Sequence, residues 1–99
     1  MSGRIFKHSA FLRRAAKNAR AVKNASYPEL ATVVEIFHNA DKLRFTADER
    51  RSLLRYMPVI RDIGKARSAK RARALLMEYG LAILPMLITA ALVLHGVTV

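Results

Sequence analysis

Apolar and polar positions recur with helical spacing along most of the chain. On a wheel of about 100° per residue, residues 4–23 divide into two arcs. One holds Ile5, His8, Phe11, Leu12, Ala15, Ala16, Ala19 and Val22; the opposite one holds Lys7, Arg13, Arg14, Lys17 and Arg20. Phe6, Ala10 and Ala21 fall on the basic side, and Arg4 and Lys23 depart from the pattern at the ends, where long side chains snorkel. The pattern predicts a basic amphipathic helix over 1–24, started by Ser2 or Gly3 and stopped by Asn24-Ala25-Ser26.

Residues 25–64 read as a helical hairpin region. Ser26, Pro28 and Glu29 form a start signal, with Ser26 as cap, Pro28 in the first turn and Glu29 three residues after the cap. Leu30, Val33, Val34, Phe37 and Ala40 follow at helical spacing, Ile36 and Leu43 widen the face, and the helix is expected to reach about Lys42. Thr46-Ala47-Asp48-Glu49 is a second capping box, with acids at the positive end of the helix dipole. Leu53, Leu54, Met57, Ile60 and Ile63 are its apolar positions. Pro58 predicts a break at Tyr56–Met57, followed by a short helix ended by Gly64. The hairpin is expected to pack with the first helix lying across it. A core of two or three such helices is marginal, so oligomerisation or a lipid surface would supply the missing burial.

The tail differs in kind. Its 21 residues from Tyr79 to Val99 contain no Asp, Glu, Lys or Arg and are apolar all round the helix. A bilayer-spanning helix needs about 20 such residues, and an all-round apolar helix is buried either in a large core or in lipid. The other 78 residues look too small to wrap it. The expectation is therefore one transmembrane helix over 74–99. It would start at Ser68 and run on without a loop from the basic segment 65–73, kinked near Leu81–Pro85 by Pro85. Leu81, Ile83, Leu84, Pro85, Leu87, Ile88, Leu92 and Leu94 are the anchor residues, and Ala82, Thr89, Ala90 and Ala91 are small enough for helix–helix contact within the membrane. No strand pattern competes anywhere. The expected fold is all-α: about three basic helices, then a single C-terminal span.

Charge sharpens this order. The 99 residues carry a formal net charge of +11, yet 53% are hydrophobic. Residues 1–27 hold seven basic residues and no acid, residues 28–62 six of each sign, residues 63–73 five basic residues and no acid, and residues 74–99 only Glu78. The apolar content excludes a disordered basic tail. Lys65, Arg67, Lys70, Arg71 and Arg73 precede the apolar run directly, and positive charge beside a span stays on the cytoplasmic side. The expected topology is tail-anchored, with the N-terminus in the cytoplasm or a virion interior. The hydrophobic segment lies too late for a signal peptide, while the first helix is similar in composition to a mitochondrial presequence.

Candidate chemistry is sparse. The chain has no cysteine, so disulfides and thiolate reactions are excluded. His8, His38 and His95 lie on three elements without metal-ligand spacing. Glu35 and His38 are three apart on one helix and read as a surface contact rather than half of a di-metal motif. His95 reads as an interfacial histidine at the headgroups rather than a tetrapyrrole ligand. There is no glycine-rich phosphate loop and no nucleophile elbow. The expectation is a protein without cofactor or metal that is not an enzyme.

The first helix admits an interfacial membrane helix, a phosphate-backbone binder or an ordinary packed helix. Lys7, Arg13, Arg14, Lys17 and Arg20, with the second block Lys65, Arg67, Lys70, Arg71 and Arg73, are the residues expected to meet an acidic surface. Anionic lipid headgroups, other protein subunits or a second copy are the expected partners, and nucleic acid is a further class that fits the charge. The leading function is a small tail-anchored structural or interaction protein, such as a phage virion membrane protein or an accessory subunit of a membrane complex. The alternatives are a membrane-active lysis protein or toxin, and a soluble helical nucleic-acid binder with a C-terminal oligomerisation helix.

Overall fold

Side-chain caps set the starts of three of the α-helices. The structure, a computed structural model, describes residues 3–97. Both capping boxes form: the hydroxyls of Ser26 and Thr46 accept from the amides of Glu29 and Glu49, whose carboxylates accept in return from the capping residues' own amides. They open α3 (Tyr27–His38) and α4 (Ala47–Arg55). Tyr56 breaks the chain as expected, and α5 (Met57–Gly64) restarts with Pro58 in its first turn. Ser68 caps α6 (Ala69–Leu75) by accepting from the Arg71 amide. Thr32 is buried on α3, its hydroxyl donating to the Pro28 carbonyl at 2.9 Å. The fold is all-α, without strands among the described residues.

The expected first helix is instead three pieces. These are α1 (Arg4–Lys7), α2 (Ser9–Lys17) and a 3₁₀ segment Ala19–Asn24. Asn18 causes the second break. It is extended, and its side-chain oxygen accepts from the Arg20 amide, giving the chain a local alternative to the helix. The wheel survives these breaks: Ile5, Phe11, Leu12, Ala15 and Val22 are buried, while Lys7, Arg13, Arg14, Lys17 and Arg20 face solvent. Gly3 stands just before α1. Ser2, the other expected start, lies outside the described residues, as do the tail's Thr98 and Val99. The next helix also ends early. α3 stops at His38 and a 3₁₀ turn, Ala40–Lys42, covers the rest.

The tail departs furthest from expectation. It is not one continuous helix: α6 runs into a π-helical segment, Leu76–Gly80, the chain turns at 81–83, and α7 (Leu84–Leu94) follows. The two helical stretches, Ala69–Gly80 and Leu84–Leu94, meet at 113°. No single helix among the described residues is long and apolar enough to cross a membrane, although the bent pair passes that test together by length and composition. The break falls where Pro85 predicted a kink, for a sharper reason. Pro85 sits in the first turn of α7, where its missing N–H costs nothing, so the proline starts a new helix rather than bending an old one.

α7 then folds back into the protein. Leu84, Leu87, Ile88, Ala91 and Leu92 are buried, packed chiefly against α2 and also α3. The remaining residues thus do wrap the apolar helix, against the expectation from size. The cover comes largely from α2, whose Phe11, Leu12 and Ala15 are buried in the same core as the leucines of α7. The first helical region therefore lies across the tail helix rather than across the middle hairpin.

α3 and α5 pack against each other at a second close approach. A Cβ added to Gly64 would lie 2.9 Å from the His38 Cα and 3.0 Å from its amide nitrogen. Gly64 does end α5, but its missing side chain serves interhelical contact rather than a left-handed cap, since Gly96 is the glycine with positive φ. α4 buries no residue, and Leu54 on it is 71% exposed. Replacing Gly64 with alanine forces backbone apart and should lower the unfolding free energy by about 1–3 kcal/mol. Gly3→Ala, where nothing lies within 4 Å, should change it by less than about 0.5 kcal/mol. Urea denaturation followed by circular dichroism distinguishes the two.

Candidate acidic-surface interface

Solvent claims nearly all the cationic side chains. Of the ten expected at an acidic surface, Lys7, Arg13, Arg14, Lys17, Arg20, Lys65, Arg67, Lys70 and Arg71 are exposed. Several of the seven acids are engaged locally. Glu29 and Glu49 close the capping boxes, Asp48 pairs with Arg51 at 3.5 Å, and Glu35 lies 3.9 Å from Arg4. A molecule of radius of gyration 11.9 Å thus carries a surface field dominated by its +11 charge.

The two basic blocks, some fifty residues apart in sequence, become neighbours. Arg4 from the first and Arg67 from the second line one groove of about 350 Å³ along α3, together with Tyr27, Glu35 and His38. The expected Glu35–His38 surface pair thus lies in this groove. Around the corner, Lys65, Arg67 and Arg71 border a recess of about 460 Å³ with Asp62 on its rim. On α2 the Arg14 guanidinium lies over the Phe11 ring at 5.9 Å, which fixes one cation of the first block without removing it from solvent.

Arg73 behaves differently from the other nine. It is half-buried, and its Nη2 donates to the carbonyl of Ala25, while its buried Nε has no hydrogen-bond partner. This residue ties the second basic block to the end of the first. Sequence spacing gave no sign of it, because the partner is a backbone carbonyl 48 residues away.

The expected anchor residues turn mostly inward. Ile83, Leu84, Leu87, Ile88 and Leu92 are buried, Leu81 and Pro85 half-buried, and Leu94 exposed. Among the expected membrane-contact residues, Ala91 is buried and Ala82 exposed. His95 lies 3.0 Å through Nδ1 from the Ala91 carbonyl, and its ring stands T-shaped to that of Phe6 with the centroids 5.7 Å apart. Phe6 is exposed, as its place on the basic side of the wheel already signalled. Arg44, from the charge-neutral middle, lines a groove with Glu49, Thr89, Ala90, Val93 and Leu94. It had no signal in sequence, since its neighbours come from the far end of the chain. Among the described residues no three or more of His, Asp and Glu converge as a metal site would require.

No protein-family model, curated protein or solved structure matches this chain. The tie at Arg73 gives a direct test of its assignment. Arg73→Met leaves the Ala25 carbonyl unpaired and should cost about 1.5–3 kcal/mol of stability, whereas Lys70→Met, at an exposed position, should cost no more than about 0.5 kcal/mol. Thermal melts of the two variants beside the parent chain provide the measurement.

Proposed function

We propose that this chain is a non-catalytic docking protein whose basic helices bind an anionic membrane surface. One observation carries the reading: the cationic side chains of two distant blocks stand exposed, and the blocks meet where Arg4 and Arg67 line one groove, with Glu35 there and Asp62 at the adjoining recess as the acids beside them. A surface of this kind repels itself and finds its energetic complement in a polyanion. Each Lys or Arg near anionic headgroups contributes about 1 kcal/mol.

Lipid fits better than nucleic acid because large apolar side chains stand among the cations. Phe6, Val93 and Leu94 are all exposed. A duplex backbone offers charge alone, and single-stranded binding uses aromatic platforms. Here the exposed aromatic residues Phe6, Tyr27 and Tyr79 lie on three separate elements. In this reading the molecule is a peripheral module that links a membrane to protein neighbours, and its tail serves its own core.

A second reading keeps the tail as an anchor. It is favoured by the bent pair Ala69–Gly80 and Leu84–Leu94, which together have the length and composition of a span. Opening the 113° bend would convert the pair into the tail-anchored form. Alkaline carbonate extraction of membranes from cells expressing the full chain separates the two. Release into the supernatant is expected for the peripheral module, and retention in the pellet would establish the anchor.

Binding itself is tested with purified protein and phospholipid vesicles. The chain should co-sediment with vesicles containing phosphatidylglycerol and not with pure phosphatidylcholine, and should be released by added salt. Replacing Lys7, Lys17 and Arg20 together by glutamine should weaken binding by about a hundredfold, three cations at about 1 kcal/mol each. Tighter binding to DNA or RNA than to anionic vesicles at the same ionic strength would overturn the lipid reading.

A further inference from the structure

We infer that the C-terminal end of α7, with Phe6 beside it, is the part of the molecule that enters the bilayer; this rests on the lipid-docking reading and says which atoms leave water. α7 is apolar on both sides. Its inner face is buried in the protein. Its other side carries Pro85, Met86, Thr89, Ala90 and Val93, all half-buried or exposed. A solvent-facing helical stripe is normally charged, and a quarter of this chain's residues are charged. None of them lies between Tyr79 and Val99.

The stripe ends in a knob. Val93 is 65% exposed and Leu94 44%. Phe6 is 58% exposed, and its edge contact with the His95 ring holds it at this end of α7. Cations stand on the neighbouring elements. Arg4 and Lys7 are on the same short helix as Phe6 and are exposed, and Arg44 lines, with Glu49, the groove that contains Val93 and Leu94. Exposed apolar side chains beside arginine and lysine match the layering of an anionic bilayer, with headgroup phosphates outside and acyl chains inside. A second copy fits poorly, because joining two such knobs would bring two +11 molecules together.

The chain contains no tryptophan, so Phe6→Trp introduces a single tryptophan at the knob, excited selectively over the three tyrosines. On addition of phosphatidylglycerol-containing vesicles its emission should shift to the blue and be quenched by lipids brominated high on the acyl chain. Val93→Asn removes apolar surface at an exposed position without changing charge, and should weaken vesicle binding by about tenfold with an unchanged melting curve. Unshifted, unquenched emission from protein that co-sediments with vesicles would overturn the insertion and leave electrostatic docking intact. Undiminished binding of Val93→Asn would do the same. Failure of the parent chain to bind vesicles would overturn both. A concentration-dependent blue shift without vesicles, with a dimer in sedimentation equilibrium, would assign the knob to a second copy instead.

Discussion

The packing of α7 on the inner face of α2 is the constraint on which the rest of this molecule depends. Leu84, Leu87, Ile88 and Leu92 leave water in a core they share with Phe11, Leu12 and Ala15 of α2. Burying a leucine or isoleucine contributes about 1.5–3 kcal/mol, so this contact supplies a large share of a small core. It also fixes orientation. With the apolar arc of α2 held against α7, the opposite arc, bearing Arg13, Arg14 and Lys17, faces outward. Core packing and basic surface are two sides of one helix.

Two local devices make that packing geometrically attainable. The turn at 81–83, with Pro85 in the first turn of α7, redirects the tail by 113° onto the body. The bare Cα of Gly80 then lets the chain leave the π-helical segment close to α5, since a Cβ there would lie 3.0 Å from the Ile63 side chain. Arg73 completes the arrangement from outside. Its guanidinium reaches the Ala25 carbonyl, joining the helix before the bend to the segment that follows the first basic block. These contacts bring the two blocks together despite the neutral stretch between them.

What the sequence disclosed follows from the range of the interactions involved. Caps, the Tyr56 break and the helix start at Ser68 act within a few residues, and all were legible. The buried arc of the first region was legible too, because periodicity records which side meets a core. It did not show Asn18 dividing that region, since a side chain bonding its own backbone leaves no mark on apolar spacing. Nor could it show what covers the tail. An all-round apolar helix satisfies the same pattern in lipid and in protein, and the deciding partner, α2, lies some seventy residues away. At the basic surface, exposure was legible for nine of the ten residues, and Arg73 was hidden because its partner is a main-chain carbonyl.

The apolar symmetry of α7 can then be understood as two requirements met by one helix. Its inner leucines need a dry interior to hold the fold. Its outer end does not serve the fold, because Val93 and Leu94 stand in solvent. A chain with 18 lysines and arginines has cations in plenty for such positions, yet places none on this helix. Leaving that side bare costs solubility, a cost offset when the surface meets an acyl layer and the neighbouring cations meet its headgroups. In the proposed lipid docking, charge would bring the molecule to the membrane over a Debye length of about 8–10 Å, and the bare end of α7 would add a short-range hold that salt does not screen.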